Sequence, residues 1–402
     1  MDHVSESTIK YDGKLKLTKN ADYRVEAYIS SNFVQNHAAN LLPLENGDLL
    51  CVWFAGTQEG MSDIHIYLSR LNKGEKEWSK AVKVSDDPAR SEQNPILFHA
   101  PDGRLWLLYT AQKSGNQDTA IVRYRISEDN GYTWGPIQTL FDTPGTFIRQ
   151  PIIVLENGEW LLPIWYCFTS PGQKWTGDKD VSAVKVSKDQ GKTWEEYEVP
   201  HSLGCVHMNI EKLDNGTLLA LFRSRWADNI YKSFSTDNGR TWSTPAPTEL
   251  PNNNSSIQFT KLNNGHLALV FNNMNADNCT ERRTSLYDEI EDEGDIEIPS
   301  PNIEIDRGEE RKLQARTAFW GAPRAPMTIA VSEDNGRTWP FIKNLEVGDG
   351  YAMTNNSKDK LNREYSYPTI KQTPDRKIHI AFTYFRQAIK YVSISEDWVK
   401  DQ

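Results

Sequence analysis

Arginine, the side chain best suited to hold a carboxylate, recurs where short apolar segments of this sequence begin or end. Arg149 and Arg324 precede the segments QPII and APMTI, and Arg223, Arg225 and Arg386 follow the segments LLALF and IAFTYF. A guanidinium can form two parallel hydrogen bonds with one carboxylate, and burying it without an anionic partner is costly. These arginines therefore predict a site for an acidic ligand.

The same arginines have a second interpretation, in which their partners belong to the chain itself. Glu59, Asp63, Asp180 and Glu364 lie in comparable positions around the apolar segments. A buried arginine is satisfied equally well by an internal carboxylate. The sequence leaves both interpretations open.

Histidine and tyrosine also stand at the starts of apolar segments. His37 begins HAANLL, His207 begins HMNI and Tyr367 begins YPTI. Histidine titrates near neutral pH and can move a proton. Each histidine taken singly is also compatible with an ordinary strand end. Together these residue types are compatible with acid–base chemistry.

An octapeptide of the pattern S-x-D-x-G-x-T-W occurs four times. It begins at Ser127, Ser187, Ser235 and Ser332, and a degenerate copy begins at Ser69 and a truncated one at Ser395. Serine and aspartate can hydrogen-bond the backbone of a turn, glycine allows positive φ, and tryptophan can pack under the next sheet. The pattern therefore predicts a repeated turn between two strands.

A second repeat consists of two apolar runs around a short turn, and it occurs six times. Five turns contain Asn-Gly or Asp-Gly, and Asp375-Arg376 replaces them in the sixth. These dipeptides between apolar runs are a strong hairpin signal. Each unit then consists of strands A, B, C and D, with the octapeptide between C and D. The prediction is an all-β fold, a six-bladed β-propeller of four-stranded antiparallel blades, in a single domain over residues 1–402.

The last unit ends without a strand D, whereas residues 23–30, YRVEAYIS, form a predicted strand that precedes the first hairpin. We expect this N-terminal strand to complete blade six and cover both open sheet edges. Blade five contains an acidic insertion at about residues 275–323. Its composition favours a solvated loop, with a lid or a subunit contact as the functional alternative.

The order of the turns predicts which residues meet at the axis. The B–C loops and D–A crossings share one face, so the starts of strands A and C and the ends of strands B surround the axis there. The residues so placed are His37, Asn94, Arg149, His207, Ser255 and Tyr367, then Trp53, Glu59, Tyr109, Tyr166, Arg223, Arg225 and Arg386, and finally Asp63, Asp180 and Arg324. His37 and His207 are expected at equivalent positions of their blades. The sequence thus predicts a polar, aromatic and basic funnel.

The octapeptides and the six hairpins resemble the sialidase (neuraminidase) superfamily, in particular its branch with BNR or Asp-box repeats. The resemblance extends over nearly the whole chain. Sialidases hold the substrate carboxylate with three arginines, prime a tyrosine nucleophile with a glutamate, and protonate the leaving group with an aspartate. The resemblance implies Arg223 and Arg324 as two of these arginines and Tyr367 as the nucleophile, with Tyr365 as an alternative match. It implies Asp63 as the acid, with Glu59 as competitor.

Two positions depart from that pattern. His37 stands in place of the first arginine, and His207 stands in place of the glutamate. Arg149 and Arg386 are candidates for the missing arginine. Arg225, Tyr109 and Asn94 are further candidate substrate contacts.

Three hypotheses follow. The first is an enzyme that removes a terminal acidic sugar by sialidase-like hydrolysis, with His207 priming Tyr367. The second is a lyase that cleaves a uronic-acid-containing glycan by β-elimination, with His37 or His207 and a tyrosine moving protons. The third is a glycan-binding propeller without catalysis.

The net charge of −10 argues against nucleic acid or an anionic membrane as partner. The four cysteines have no metal-ligand spacing, so we expect neither a metal nor a cofactor. The first residues lack an apolar signal segment, which favours a cytoplasmic protein, or a secreted one whose signal peptide has been removed. The oligomeric state stays open.

Overall fold

Short strands joined by tight turns make up most of the described chain, as the repeats predict. The structure is a computed structural model and describes residues 9–18, 24–170, 172–283, 285–287, 289–290 and 316–401. Its strands form six antiparallel sheets, which are the blades of a six-bladed propeller. The predicted fold class is confirmed.

The strands follow one another blade by blade. Two strands near the N-terminus come first, β1 (Lys16–Leu17) and β2 (Val25–Ile29). Blade one contains β3 (Gln35–Pro43), β4 (Leu49–Gly56), β5 (His65–Leu71) and β6 (Val82–Lys83). Blade two contains β7 (Ser91–His99), β8 (Leu105–Lys113), β9 (Asn116–Ser127) and β10 (Gln138–Phe141). Blade three contains β11 (Thr146–Phe147), β12 (Ile153–Val154), β13 (Trp160–Tyr166), β14 (Val181–Ser187) and β15 (Glu195–Glu198).

The remaining blades have the same order from the axis outward. Blade four contains β16 (Cys205–Lys212), β17 (Leu218–Ser224), β18 (Asn229–Ser235) and β19 (Ala246–Pro251). Blade five contains β20 (Gln258–Lys261), β21 (Leu267–Asn272), β22 (Met327–Ser332) and β23 (Phe341–Glu346). Blade six contains β24 (Tyr365–Gln372), β25 (Ile378–Tyr384) and β26 (Ala388–Ile394), followed by a short helix, Glu396–Lys400. Among the described residues, no helix has the length and hydrophobicity needed to span a bilayer.

The six A–B turns share one geometry. In five of them the glycine of the Asn-Gly or Asp-Gly pair has a φ between 84° and 91°, and in the sixth Arg376 adopts a φ of 65°. The backbone N–H of this residue donates to the carbonyl three residues earlier in every turn. The left-handed position explains why glycine recurs there.

The octapeptides form closed turns held by their aspartates. In the first of them, the Asp129 carboxylate accepts from the backbone N–H of Thr133 at 2.8 Å, and the N–H of Gly131 donates to Ser127 Oγ at 2.7 Å. Hydrogen bonds from Thr133 lower the pKa of Asp129 to about 2. The same pattern recurs at Asp334. The truncated copy instead starts the C-terminal helix, which Ser395 caps through the N–H of Trp398.

The N-terminal strand closes the ring. Strand β2 pairs with β26 along its whole length, from Val25 opposite Ser393 to Ile29 opposite Ile389. Strand β1 pairs with β2 on the outside. The predicted closure of blade six is confirmed for residues 25–29, and Tyr23 lies outside the described residues.

Because β2 supplies apolar side chains to the core between blades six and one, its packing should matter for stability. Ile29 is buried at 2% exposure. We expect Ile29→Ala to lower the free energy of unfolding in urea by about 2–4 kcal/mol. Leu17→Ala in β1, where the side chain is 70% exposed, is the control and should change it by less than about 0.5 kcal/mol. Equal losses in both variants would contradict this role for β2.

Candidate functional site

The innermost strands of four blades carry a bulge near the axis. Their pairing with the second strand shifts register at these points. The bulged residues with left-handed backbone are Ala38, Asn94, His207 and Tyr367, with φ of 62°, 49°, 54° and 52°. Such a backbone is unfavourable for residues other than glycine, so the surrounding contacts must hold it. Each bulge marks the place where its blade presents a residue to the axis.

His37 precedes the bulge of blade one. Ala38 holds the position that His207 and Tyr367 hold in their blades, so the prediction that His37 and His207 are equivalent is wrong by one residue. His37 still reaches the same group of residues, because its ring centroid lies 4.2 Å from that of Tyr367.

Tyr367 lies at the centre of the axial group and is only 5% exposed. Its hydroxyl oxygen accepts a hydrogen bond from Arg223 Nη1 at 2.7 Å. The Cζ atoms of Arg149, Arg223 and Arg324 lie 5.5, 5.6 and 5.7 Å from the centroid of its ring. The ring of His207 lies 5.6 Å away, centroid to centroid. The structure therefore brings together residues of blades one, three, four, five and six, as the phase of the repeats predicts.

Arg223 is buried and makes no ion pair with any described carboxylate. Its Nε donates to Asn254 Oδ1 at 2.8 Å, and its Nη1 lies 3.2 Å from His207 Nε2 in addition to its bond to Tyr367. Burial lowers the pKa of Arg223 to about 9, although Tyr367 acts in the opposite direction. Arg223 is thus a cation at neutral pH that has no anionic partner among the residues that the structure describes.

His207 is held as a neutral imidazole. Burial, and then the guanidinium of Arg223, lower the pKa of His207 well below its ordinary value of 6.5. With Nε2 facing the donor Arg223, Nδ1 carries the proton and donates to Ser256 Oγ at 3.0 Å. The ring stacks on Trp165 with centroids 4.3 Å apart. Arg223 stands between His207 and the Tyr367 hydroxyl, so the two side chains are linked through a guanidinium.

Arg386 and Arg324 share one carboxylate. Arg386 Nε donates to Glu364 Oε1 at 2.6 Å, and Arg324 Nη1 donates to Glu364 Oε2 at 3.0 Å. Arg386 also donates to Glu59 Oε2 at 2.6 Å. Burial alone would raise the pKa of Glu364, but Arg324 and Arg386 lower it to about 2. His37 lies beside this network, with Nδ1 3.6 Å from Glu364 Oε1.

Arg225 is bound to Asp180 on the blade-three side. Its Nε and Nη2 lie 2.8 and 2.6 Å from Asp180 Oδ2, and both residues are buried. Asp180 also accepts from Trp175 Nε1 at 2.9 Å. Internal pairing is therefore the arrangement found for Arg225, Arg386 and Arg324, and a substrate carboxylate would have to compete with a buried ion pair to reach any of them.

Three further predicted residues lie apart from these contacts. Asp63 accepts hydrogen bonds from the backbone and side chain of Thr57 at 3.1 and 2.9 Å, which fixes the loop before β5. Tyr109 is fully buried in the apolar cluster between blades one and two, and burial raises the pKa of its hydroxyl. Asn94 occupies the bulge of blade two at 5% exposure. The structure places Asp63 and Tyr109 outside the hydrogen bonds around Tyr367.

The axial group carries a surplus of positive charge. Five arginines meet three carboxylates, those of Glu59, Asp180 and Glu364, and both neighbouring histidines have lowered pKa values. Arg149 and Arg223 have no carboxylate partner among the described residues. Two positive charges are therefore left over in a protein whose formal net charge is −10. This arrangement suits an anionic ligand.

The described flanks of the blade-five insertion cover the axial group. The Tyr287 hydroxyl accepts from Gln112 Nε2 and Gln117 Nε2 of blade two at 3.1 and 2.9 Å. Asn355, which precedes blade six, donates to the Leu286 carbonyl at 2.8 Å. Tyr287 and Leu286 are 7% and 6% exposed. The expected solvated loop is therefore wrong for the residues around Tyr287 and Trp320, whereas residues 277–282 are mostly exposed. Residues 284, 288 and 291–315 lie outside the described residues.

Trp320, on the other flank of the insertion, lies over two arginines. Its ring centroid is 5.7 Å from Arg223 Cζ and 5.1 Å from Arg225 Cζ, and its Nε1 donates to the Thr176 carbonyl at 2.8 Å. Sequence reasoning missed Trp320, Tyr287 and Asn254. The signals for them were large aromatic residues inside an otherwise acidic insertion, and the run NNNSS directly before an innermost strand.

A group of possible metal ligands lies away from the axis. His266, Glu333 and Glu396 approach one another near the C-terminal helix. The ammonium group of Lys400 lies 2.6 Å from an oxygen of each glutamate. The ammonium group of Lys400 already contacts both carboxylates, and we assign no metal to this group.

A scan against protein-family models matches residues 47–380 to the BNR repeat-like domain. The chain belongs to the BNR repeat-like family. No curated protein matches this member of the family significantly.

Solved structures share the fold of this BNR repeat-like protein at low sequence identity. A Hadza microbial sialidase, Hz136, matches with a TM-score of 0.65 and 13% identity over 93% of this chain and 69% of that one. The NanB sialidase of Streptococcus pneumoniae matches with a TM-score of 0.63 and 12% identity over 99% and 73%. A Dyadobacter fermentans protein of unknown function matches with a TM-score of 0.66 and 13% identity over 93% and 98%. The fold is therefore that of the sialidases.

Glu364 should be important for the stability of this BNR repeat-like protein, because it neutralises two buried arginines. We expect Glu364→Gln to lower the free energy of unfolding at neutral pH by about 3–5 kcal/mol. The folded pKa of about 2 lies below the ordinary 4.5, so the stabilisation is present above 4.5 and is lost as pH falls through 2. Urea titrations at successive pH values should show that the unsubstituted chain and the Glu364→Gln variant approach the same free energy of unfolding as pH falls from 4.5 to about 2.

The control is Glu195→Gln, which removes an exposed pair with Lys188. It should leave stability nearly unchanged at every pH. A Glu364→Gln protein that is as stable as the unsubstituted chain at neutral pH would contradict the role of Glu364.

Proposed function

We propose that this protein is a carbohydrate-active enzyme that removes a terminal acidic sugar from a glycan, with Tyr367 as the reacting group. The observation that carries the proposal is the contact between the Tyr367 hydroxyl and Arg223, a buried cation without a carboxylate partner. A positive charge at that oxygen stabilises the negative charge that develops when the phenol loses its proton. The sialidase fold supports a glycan ligand.

Arg223 and Arg324 are the arginines best placed to bind the carboxylate of the sugar. They flank Tyr367 from blades four and five. Arg324 is the most exposed of the five arginines, at 6%. Arg324 is paired only with Glu364, whereas Arg386 is paired with both Glu59 and Glu364 and Arg225 contacts Asp180 through two nitrogens. Arg386 and Arg225 therefore serve the site by fixing its geometry.

In the hydrolytic route, the Tyr367 hydroxyl loses its proton to a water molecule, its oxygen attacks the anomeric carbon, and the bond to the leaving group breaks. A carboxylic acid gives its proton to the departing oxygen, and Glu59 and Asp63 are the candidates. A water molecule then gives a proton to the resulting carboxylate, attacks the anomeric carbon and releases the tyrosine, with net retention of configuration. His207 is a weak base here because its pKa is lowered. Arg223 therefore supports Tyr367 more directly than His207 does.

A second route, β-elimination from a uronic acid, is favoured by one specific feature. No described carboxylate contacts the Tyr367 hydroxyl, whereas two histidines of lowered pKa lie beside its ring. In this route arginine binds the C6 carboxylate and Tyr367 or a histidine removes the C5 proton. The C4–O bond breaks, a proton passes to the departing oxygen, and a C4=C5 double bond remains. No water is consumed.

The products distinguish the routes. We expect incubation with sialyl-capped oligosaccharides, and with oligosaccharides that contain a 4-O-substituted glucuronate, to give an acidic product in one of two forms. A reducing sugar without new ultraviolet absorbance identifies hydrolysis, and an unsaturated uronate that absorbs in the ultraviolet identifies elimination. Calorimetric binding without turnover of either substrate would identify a glycan-binding propeller and overturn the enzymatic proposal. The Tyr367→Phe protein, which keeps the arginines, should bind the same sugar and turn over at least a hundredfold more slowly.

Arg324→Ala tests the carboxylate contact. We expect kcat/KM for the acidic substrate to fall by about a hundredfold or more, because a charge-assisted contact in a buried site is lost. The control is Arg363→Ala, which removes an exposed arginine paired with Asp349 near the same blade. The control should keep its kcat/KM within about twofold. If Arg324→Ala behaves like the control, Arg324 does not bind the carboxylate.

A further inference from the structure

Arg149 reaches the axis through a gap in its own blade. It lies between β11 and β12, where the innermost strand of blade three is interrupted. Its Nη2 donates to the carbonyls of Ala39, Tyr367 and Pro368 at 2.9, 3.1 and 3.2 Å. One guanidinium of blade three therefore binds the main chain of blades one and six.

The three carbonyls belong to two of the left-handed bulges. Ala39 follows Ala38, and Pro368 follows Tyr367. Residues in such backbone conformations persist only where contacts hold them. The hydrogen bonds from Arg149 are contacts of this kind. They hold the backbone of Tyr367 and Pro368 in place and thereby fix the position of the Tyr367 side chain.

Arg149 is also a buried cation, and the described part of the chain supplies no carboxylate to pair with it. It is fully buried, it has no carboxylate partner among the described residues, and its Nε and Nη1 make no hydrogen bond there. Burial lowers its pKa to about 10, so it stays charged at neutral pH. An unpaired buried charge is unfavourable. Tyr367, whose ring centroid lies 5.5 Å from Arg149 Cζ, is the neighbour on which a compensating negative charge can develop.

Arg149 and Arg223 approach Tyr367 from opposite ends. Arg223 bonds to the hydroxyl, whereas Arg149 bonds to the main-chain carbonyl. A sugar that reacts at the hydroxyl is therefore separated from Arg149 by the tyrosine itself. This position does not suit the substrate contact that the sequence suggested for Arg149.

We propose that Arg149 is a positioning residue for Tyr367, which clamps the two bulges and offsets the negative charge that forms on the phenol during the reaction. This inference rests on the proposed function, in which Tyr367 is the reacting group. Arg149 would thus give blade three a part in the reaction, through Tyr367, although Arg149 itself does not contact the substrate.

Two variants separate the effect of the hydrogen bonds that Arg149 makes to the bulges from the effect of its positive charge. Arg149→Met removes both with similar side-chain length, and Arg149→Lys keeps the charge without the planar fork. We expect Arg149→Met to lower kcat by on the order of a hundredfold with KM changed less than about threefold, as for loss of a charge-stabilising donor. Arg149→Lys should recover a large part of kcat. Circular dichroism and thermal melting check that both variants fold.

A raised KM with unchanged kcat in Arg149→Met would mean that Arg149 binds substrate, and it would overturn the proposal. A loss of activity that only follows loss of folded protein, without recovery in Arg149→Lys, would also overturn it.

A second measurement is independent of turnover. 3-Fluorotyrosine placed at position 367 gives one fluorine resonance whose shift reports ionisation of that phenol. We expect the resonance to titrate at higher pH in Arg149→Met than in the chain that keeps Arg149, because a nearby positive charge favours the phenolate. Arg149→Lys should titrate between the two. Identical titrations in all three proteins would overturn the charge coupling.

The two measurements also separate this inference from the proposed function. If no acidic sugar is turned over, the enzymatic proposal fails. The fluorine titration still decides whether Arg149 acts on the charge of Tyr367.

Discussion

The axial pocket holds more guanidinium groups than carboxylates, and this imbalance constrains the rest of the structure. Two positive charges at the axis lack an acidic partner among the described residues, although the chain as a whole is acidic. Aromatic faces partly compensate, because Trp320 and Tyr367 each lie within 6 Å of Arg223 Cζ. The neutral amide of Asn254 accepts the Nε donor of Arg223. This unfavourable excess of positive charge would be offset by an anionic ligand bound at the axis.

His207 has a particular meaning in this setting. The sialidase resemblance implies a glutamate at this position, and a carboxylate there would pair with Arg223 and remove much of the surplus charge. A histidine of lowered pKa accepts from Arg223 without neutralising it. The departure from the sialidase pattern therefore changes the charge state of the site more than its shape. The Tyr367 hydroxyl is therefore contacted by an arginine and not by any carboxylate of the described residues.

Much of the fold was predictable because it is encoded locally. Asn-Gly and Asp-Gly turns and the octapeptides depend on backbone geometry within a few residues, so they reveal the blades without any knowledge of distant contacts. The phase of the hairpins then predicted that Arg223, Arg324, His207 and Tyr367 meet at the axis. Glu59, Asp180 and Glu364 were among the internal partners that the sequence offered. Which arginine each would bind was not predictable, because Asp180 and Arg225, for example, are 45 residues apart and meet only through packing. The left-handed bulge at Tyr367 was also hidden, since tyrosine does not signal such a backbone. The burial of Trp320 was obscured by the acidic sequence around it.

The pairing of β2 with β26 joins the two ends of the chain without a covalent bond. Residues 30–34 connect β2 to blade one. An identical strand from another copy would make the same hydrogen bonds with β26. Exchange of this strand between two copies would preserve every native pairing and tie the molecules together. The pairing of β2 with β26 that closes one propeller would therefore also produce a domain-swapped dimer if two copies exchanged β2.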